Sequence, residues 1–264
     1  MHVFDADTSL TQTAPFQFTG RITPNWSING TPNGGYLMAV LTRSMQEVSE
    51  KQSSPILTAN FLTRCFPGEI DLHVEQIGHS NQFSRFQSRL FQNGQENVRM
   101  TGTFADNPMD GSITRYETSA PMLARLEDCV QIPTIPGYTL YDQLDVRLDP
   151  GHAGWMQGSL IDTSELKGWI TFREDRPLDI LAIALIADSF PPPIFASQGA
   201  VAWVPTIELS IHVRNQPRTK WLKCRFRTRF ITCGLLESDG EIWDEEDNLI
   251  AISRQIAQFR KIGA

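Results

Sequence analysis

The stretch Pro177–Phe190, PLDILAIALIADSF, decides how the rest of the chain is read. Pro177 suits a first helical position, where no backbone N–H is required, and Asp175 just ahead of it is placed to cap. Pro191-Pro192-Pro193 forbids continuation at the other end. Between those limits almost every residue is apolar, which predicts a helix buried nearly all round. Asp188 stands at its far end, where a carboxylate needs a partner, hydrogen bonds or a proton to offset its lost hydration. Asp179 lies about half a turn round the helix from it and reads as the solvent-facing acid. Asp188 requires an explanation that Asp179 does not.

Outward from this helix, the second half of the chain is strand-like. Gly154–Ile161 reads as a strand before it, and the runs Val201–Val213, Lys220–Ile231, Leu235–Trp243 and Leu249–Phe259 follow it. The first half has the same order. Ala14–Ile22 is an opening strand, and a loop rich in Gly, Asn and Pro then feeds a helix from Gly34 to about Glu50, with Asn33 as its candidate cap. Leu37, Val40, Leu41, Ser44, Met45 and Val48 make an amphipathic stripe on that helix. Four runs come next, Ile56–Phe66, Glu69–Gly78, Gln82–Gln92 and Glu96–Ala105, divided by Pro67-Gly68, His79-Ser80-Asn81 and the hairpin signal Asn93-Gly94. One long helix followed by a meander of long strands suggests an antiparallel sheet wrapped round a central helix, an α+β layout, occurring twice. Residues 1–106 and 151–264 are the two units, and 107–150, with its Pro, Gly and weak periodicity, is the linker between them.

The composition agrees with a folded, core-forming protein: 41% of the 264 residues are hydrophobic and 20% charged. A formal net charge of −7 argues against a general nucleic-acid binder. The first residues have no basic start followed by an apolar run, so no signal peptide is expected, and no segment approaches the ~20 apolar residues that would cross a bilayer. Cys65, Cys129, Cys224 and Cys233 have neither CxxC nor zinc-finger spacing and are read as reduced thiols of a cytoplasmic protein. The five histidines do not cluster as metal ligands, and no nucleophile elbow, Walker loop or dinucleotide-binding motif occurs, so neither metal nor cofactor is expected.

Element order and short motifs together resemble the tandem double-hotdog acyl-CoA thioesterase II (TesB-like) family. Asn33-Gly34-Gly35-Tyr36 is similar to that family's GG helix start, and Phe61–Gly68 to its F-x-x-R-P-G strand end, although Cys65-Phe66 here intervenes between Arg64 and Pro67. Leu181–Asp188 is similar to the helix ending in the family's catalytic Asp, Thr206-Ile207-Glu208 to its T-I-D strand start, and Ser253-Arg254-Gln255 to the strand bearing its catalytic Gln. The resemblance implies a tandem double hotdog and a catalytic set of Asp188, Thr206 and Gln255 that binds and activates a water. It also implies an acyl-CoA substrate and association into a homodimer or a higher homo-oligomer.

The residues themselves leave alternatives open. Gln255 shares a strand face with Leu249, Ala251, Ala257 and Phe259, which is core-facing, so its amide needs partners that backbone or Asp188 would supply. Thr206 has the parity of Glu208, Ser210 and His212, the polar face, and only a bulge near Pro205 would turn it toward the helix. The N–H groups of Gly34, Gly35 and Tyr36 are free at a helix start, either as a tight turn or as donors to a developing oxyanion. Lys223, Arg225, Arg227 and Arg229 alternate along one strand face, either a solvated face or, through Arg225 and Arg227, a cradle for coenzyme A phosphates. The expected function is acyl-CoA thioester hydrolysis through a positioned water. The alternative is an acyl-CoA-binding protein of the same fold with little turnover.

Overall fold

A computed structural model describes residues 1–106 and 113–261. After a short helix (Val3–Asp7), the first half has strands β1 (Leu10–Ala14) and β2 (Gln17–Ile22), followed by helix α1 (Gly34–Gln46). Strands β3 (Ser53–Phe61), β4 (Gly68–His79), β5 (Phe83–Gln92) and β6 (Gln95–Ala105) complete it. The second half contains β7 (Val130–Gln131), β8 (Leu144–Leu148), β9 (Glu165–Phe172), helix α2 (Ile180–Ile186), β10 (Thr206–Val213), β11 (Leu222–Arg227), β12 (Leu235–Asp244) and β13 (Leu249–Gln258).

These strands form one antiparallel sheet in the order β1-β2-β4-β5-β6-β3-β10-β13-β12-β11-β9-β8-β7. The seam between the halves is an ordinary ladder. β3 pairs with β10 from Glu208 opposite Asn60 to His212 opposite Ile56, and the hydroxyls of Thr58 and Ser210 meet at 2.7 Å across it. The sheet curves round both helices. Apolar residues alternating along its strands, such as Ile70, Leu72 and Val74 or Leu222, Cys224 and Phe226, close the core with the helices.

The amphipathic stripe of α1 underestimates its burial. Tyr36 to Thr42 are buried without a break, because one side of the helix meets the first half's sheet and the other meets α2. The two helices pass tightly at Gly35. A Cβ there would lie 2.5 Å from the carbonyl oxygen of Ala184 and 2.7 Å from that of Leu185, so only glycine lets the backbones pass.

Four sequence expectations are corrected. Helix α2 starts later than Pro177: Asp179 is its N-cap, accepting from the Ala182 N–H at 2.9 Å and paired with Arg176 at 2.6 Å, while Asp175 pairs with Lys220 instead. Gly154–Ile161 is no strand. A 3-10 turn covers Gly154–Gln157, and the strand ahead of α2 is β9. The stretch 107–150 is more than a connection, since β7, a short helix Leu140–Gln143 and β8 lie within it, and β8 pairs with β9 from Leu144 opposite Phe172 to Leu148 opposite Gly168. Its residues 107–112, like 262–264 of the second unit, lie outside the described residues. The run Lys220–Ile231 is shorter as a strand, ending at Arg227. The four cysteines are free thiols.

Candidate active site

Helix α2 delivers Asp188 just beyond its last turn, where the Asp188 N–H donates to the Leu185 carbonyl at 3.2 Å. Its carboxylate then points at the start of α1. Gly35 N–H donates to Asp188 Oδ2 at 3.1 Å and Asn33 Nδ2 donates to the same oxygen at 3.0 Å. The other oxygen, Oδ1, accepts from Gln255 Nε2 at 2.7 Å, and the same Nε2 donates to Thr206 Oγ1 at 2.6 Å. Three segments of the second half thus converge with one of the first.

A bulge explains how Thr206 reaches the group. The β10–β13 register shifts between Thr206 and Glu208: Thr206 stands opposite Ala257 and Glu208 opposite Ile256, leaving Ile207 as the extra residue, exposed to solvent. The extra residue reverses the parity, so Thr206 shares the inward face of Leu209 and Ile211 rather than the polar face. Gln255 sits opposite Leu209, on the same inward face as the buried Ala251 and Ala257.

The electrostatics follow from this placement. Burial pushes the Asp188 carboxyl up from its ordinary value near 3.8 to about 6, against the pull of the Gly35 and Gly34 backbone N–H groups and the Gln255 and Asn33 amides. Those N–H groups stand at the N-terminus of α1, where the helix dipole also favours negative charge. The buried Tyr141 hydroxyl is raised by burial and by the nearby Asp188 charge, so it stays protonated beside the carboxylate. A carboxyl that titrates near neutrality, next to a hydroxyl and an amide, is equipped to accept a proton from water.

The helix-start amides have partners inside the protein. Besides the Gly35 N–H on Asp188, the Tyr36 N–H donates to Asn33 Oδ1 at 3.0 Å as the α1 cap. Gly34 fits closely: a Cβ on it would stand 2.8 Å from Asp188 Oδ2 and 2.9 Å from the Phe61 ring. Arg225 and Arg227 lie elsewhere, on β11, whose Cys224 and Phe226 face the core. Arg225 pairs with Glu241 at 2.5 Å and with the Thr118 hydroxyl, and Arg227 reaches the same carboxylate at 3.7 Å. Both guanidinium groups thus already face the Glu241 carboxylate. The sequence marks Asn33 only as a cap and Tyr141 not at all; an Asn at an N-cap carries no signal of what its amide donates to.

Two helix-in-sheet units fused through a common sheet, with an acid, an amide and a hydroxyl gathered where the helices meet, define the tandem hotdog class. The same fold occurs in a hot dog fold protein of unknown function from Alicyclobacillus acidocaldarius, with a TM-score of 0.90 at 20% identity over 98% of both chains. A proposed thioesterase II from Thermobifida fusca YX matches with a TM-score of 0.91 at 24% identity, over 99% of this chain and 98% of that one. The acyl-CoA thioesterase II TesB2 of Mycobacterium marinum matches at 0.78 and 16% identity, over 99% of both. No curated protein matches in sequence. The family is set by the chain itself. Residues 22–105 match the acyl-CoA thioesterase N-terminal domain and 126–259 the acyl-CoA thioesterase C-terminal domain, so the chain belongs to the acyl-CoA thioesterase family and is a thioester hydrolase. Among the described residues no helix is long and apolar enough to cross a membrane.

Proposed function

We propose that the protein hydrolyses an acyl-CoA thioester to the free acid and coenzyme A, with Asp188 as the base for an attacking water and Gln255 and Thr206 as the groups that hold that water. The observation that carries this reading is the shared contact of Gln255 Nε2 with Asp188 Oδ1 and Thr206 Oγ1, at 2.7 and 2.6 Å. Both hydrogens of that amide are then spent, its carbonyl oxygen is an acceptor, and the Thr206 hydroxyl keeps its own proton to donate. A water beside Oδ1 donates one hydrogen to the carboxylate and meets the amide and hydroxyl with its remaining capacity.

In the reaction the water oxygen bonds to the thioester carbonyl carbon while its proton passes to Asp188 Oδ1. The carbonyl oxygen gains the negative charge that the carboxylate loses. The positive end of α1, where the Gly34 and Gly35 N–H groups already turn to Asp188, then faces one remaining anion, the tetrahedral oxyanion. Tyr36 belongs to the same helix start, and its N–H holds the cap that orients the other two. Collapse of the intermediate breaks the C–S bond, and the leaving sulfur takes the proton back from Asp188, which restores the carboxylate. A thioester is activated enough that a positioned base and an oxyanion site suffice.

Release of free thiol over a panel of acyl-CoAs differing in chain length tests this reading, with Asp188→Asn as control. Turnover that the control abolishes is the expected result. Tight acyl-CoA binding without thiol release would leave a binding protein in place of an enzyme.

A further inference from the structure

We propose that Asn33 is a positioning residue for the hydrolysis: its side-chain amide, supplied by the first half, fixes which oxygen of Asp188 is left to work. This rests on the reading of Asp188 as the base. Asn33 is only 7% exposed and uses its whole side chain. Oδ1 accepts from the Tyr36 N–H at 3.0 Å, and Nδ2 donates both to the Asp188 main-chain oxygen at 2.7 Å and to Asp188 Oδ2 at 3.0 Å. Capping a helix needs only the acceptor, and Ser, Thr or Asp supplies it equally well. The donor half of the amide is therefore surplus to capping, and both of its hydrogens go to one residue, 155 positions away in the chain.

The consequence is an asymmetric carboxylate. Oδ2 is held by Asn33 and by the Gly35 N–H, whereas Oδ1 faces Gln255 and, through it, Thr206. Gripping the main-chain oxygen and the side-chain oxygen of one residue removes rotation about the bonds between them. Oδ1 is then aimed at the water-binding groups without further ordering cost. The same donor favours the ionised carboxylate, in opposition to burial. The groups facing Asp188 from the other packed segments are the neutral amides of Gly34, Gly35 and Gln255 and the Tyr141 hydroxyl, which keeps its proton throughout the neutral range. No cation among these substitutes for Asn33.

Two substitutions separate positioning from capping. Asn33→Ser keeps a cap acceptor and removes the donor. Asn33→Asp keeps the cap and places a second carboxylate against the first. The measurement is kcat/KM for acyl-CoA hydrolysis between pH 5 and 9, with thermal melting and with Asp188→Asn alongside. We expect the acidic limb of the Asn33→Asp profile to move up by about one pH unit or more, so that kcat/KM at pH 7 falls by about twofold or more, with a larger loss at pH 6, and recovers toward pH 9. Asn33→Ser moves the limb in the same direction by less, with kcat affected more than KM. Should Asn33→Asp fail to fold, Asn33→Ser decides alone. The proposal is overturned if both variants keep the wild-type limb, or if their losses are uniform in pH and follow the melting temperature, while Asp188→Asn is inactive. If Asp188→Asn itself turns over normally, the base assignment fails first, and this inference with it.

Discussion

Gly35 lies so close to the backbone of Leu185 that a methyl group on its α-carbon would come within 2.7 Å of the Leu185 carbonyl oxygen and 2.9 Å of its Cα. This approach brings the start of α1 within reach of Asp188, because Gly35 itself donates to the carboxylate. The obstacle to a side chain is main chain, which cannot rotate away. We therefore expect Gly35→Ala to lose about 3 kcal/mol or more of stability and nearly all thioesterase activity, measured by denaturant unfolding and thiol release. A variant as stable and active as wild type would mean that the helices separate at no cost.

Gly34→Ala should behave differently. Its methyl would meet Asp188 Oδ2 at 2.8 Å and the edge of the Phe61 ring, two side chains rather than backbone. We expect a modest loss of melting temperature together with a kcat lowered by roughly tenfold or more, because the carboxylate must shift to make room. Circular dichroism melting and initial rates on one acyl-CoA distinguish the two glycines.

With Asp188 as the proposed base, both rate and stability should follow pH through its carboxyl. The base must be ionised, so thiol release should rise between pH 5 and 7 with a midpoint near the raised carboxyl value of about 6 and level off above it. For stability the sign is opposite to that of an ordinary salt-bridged acid. The folded chain holds this proton up to about pH 6, whereas the unfolded chain releases it near 3.8, so the folded state binds more protons in that window. Its contribution is complete below the lower value and is lost as pH rises through the upper one, on the order of 3 kcal/mol in all. Asp188→Asn should thus be inactive yet at least as stable as wild type at pH 8, the stability gap shrinking or reversing toward pH 4. Urea titrations of both proteins at the two pH values measure it.

Gln255 and Thr206 share one hydrogen-bonded unit with Asp188, so their removal should not be additive. We expect Gln255→Ala to cost roughly a hundredfold in kcat and Thr206→Ala less, with the double variant no worse than about Gln255→Ala alone. Full additivity of the two losses in a double-mutant cycle would show that they act on separate steps.

Neutralising Arg225 should leave KM for acyl-CoA within about twofold, since its charge already meets Glu241 at 2.5 Å. A large rise in KM with Arg225→Ala would restore the phosphate cradle suggested by the alternation of basic residues on its strand.

The sequence carried the strands of the first half well, because Gly68, Asn93 and Gly94 adopt the positive φ angles that turns at those points require. It carried Asp188 and Gln255 as well, since both are polar groups committed by their neighbours to an apolar face. It misplaced the strand before α2. The apolar Trp155 and Met156 mimic a strand in what is a turn, whereas β9 begins with the charged Glu165 and shows its pattern only with its partners β8 and β11 in place. Thr206 could be reached only by supposing a bulge, because alternation is a property of regular strands and a single extra residue, Ile207, inverts it. The second role of Asn33 is absent from the sequence altogether. It depends on where a helix from the other half happens to end.

The ladder between β3 and β10 makes the two duplicates one mechanical object. A gene copy that lost either repeat would expose the unpaired edge of a long strand to every neighbouring chain and leave the acid without the turn that receives it. A substitution on either strand of that ladder is therefore felt by both halves, and the chain should melt as a single body rather than in two stages.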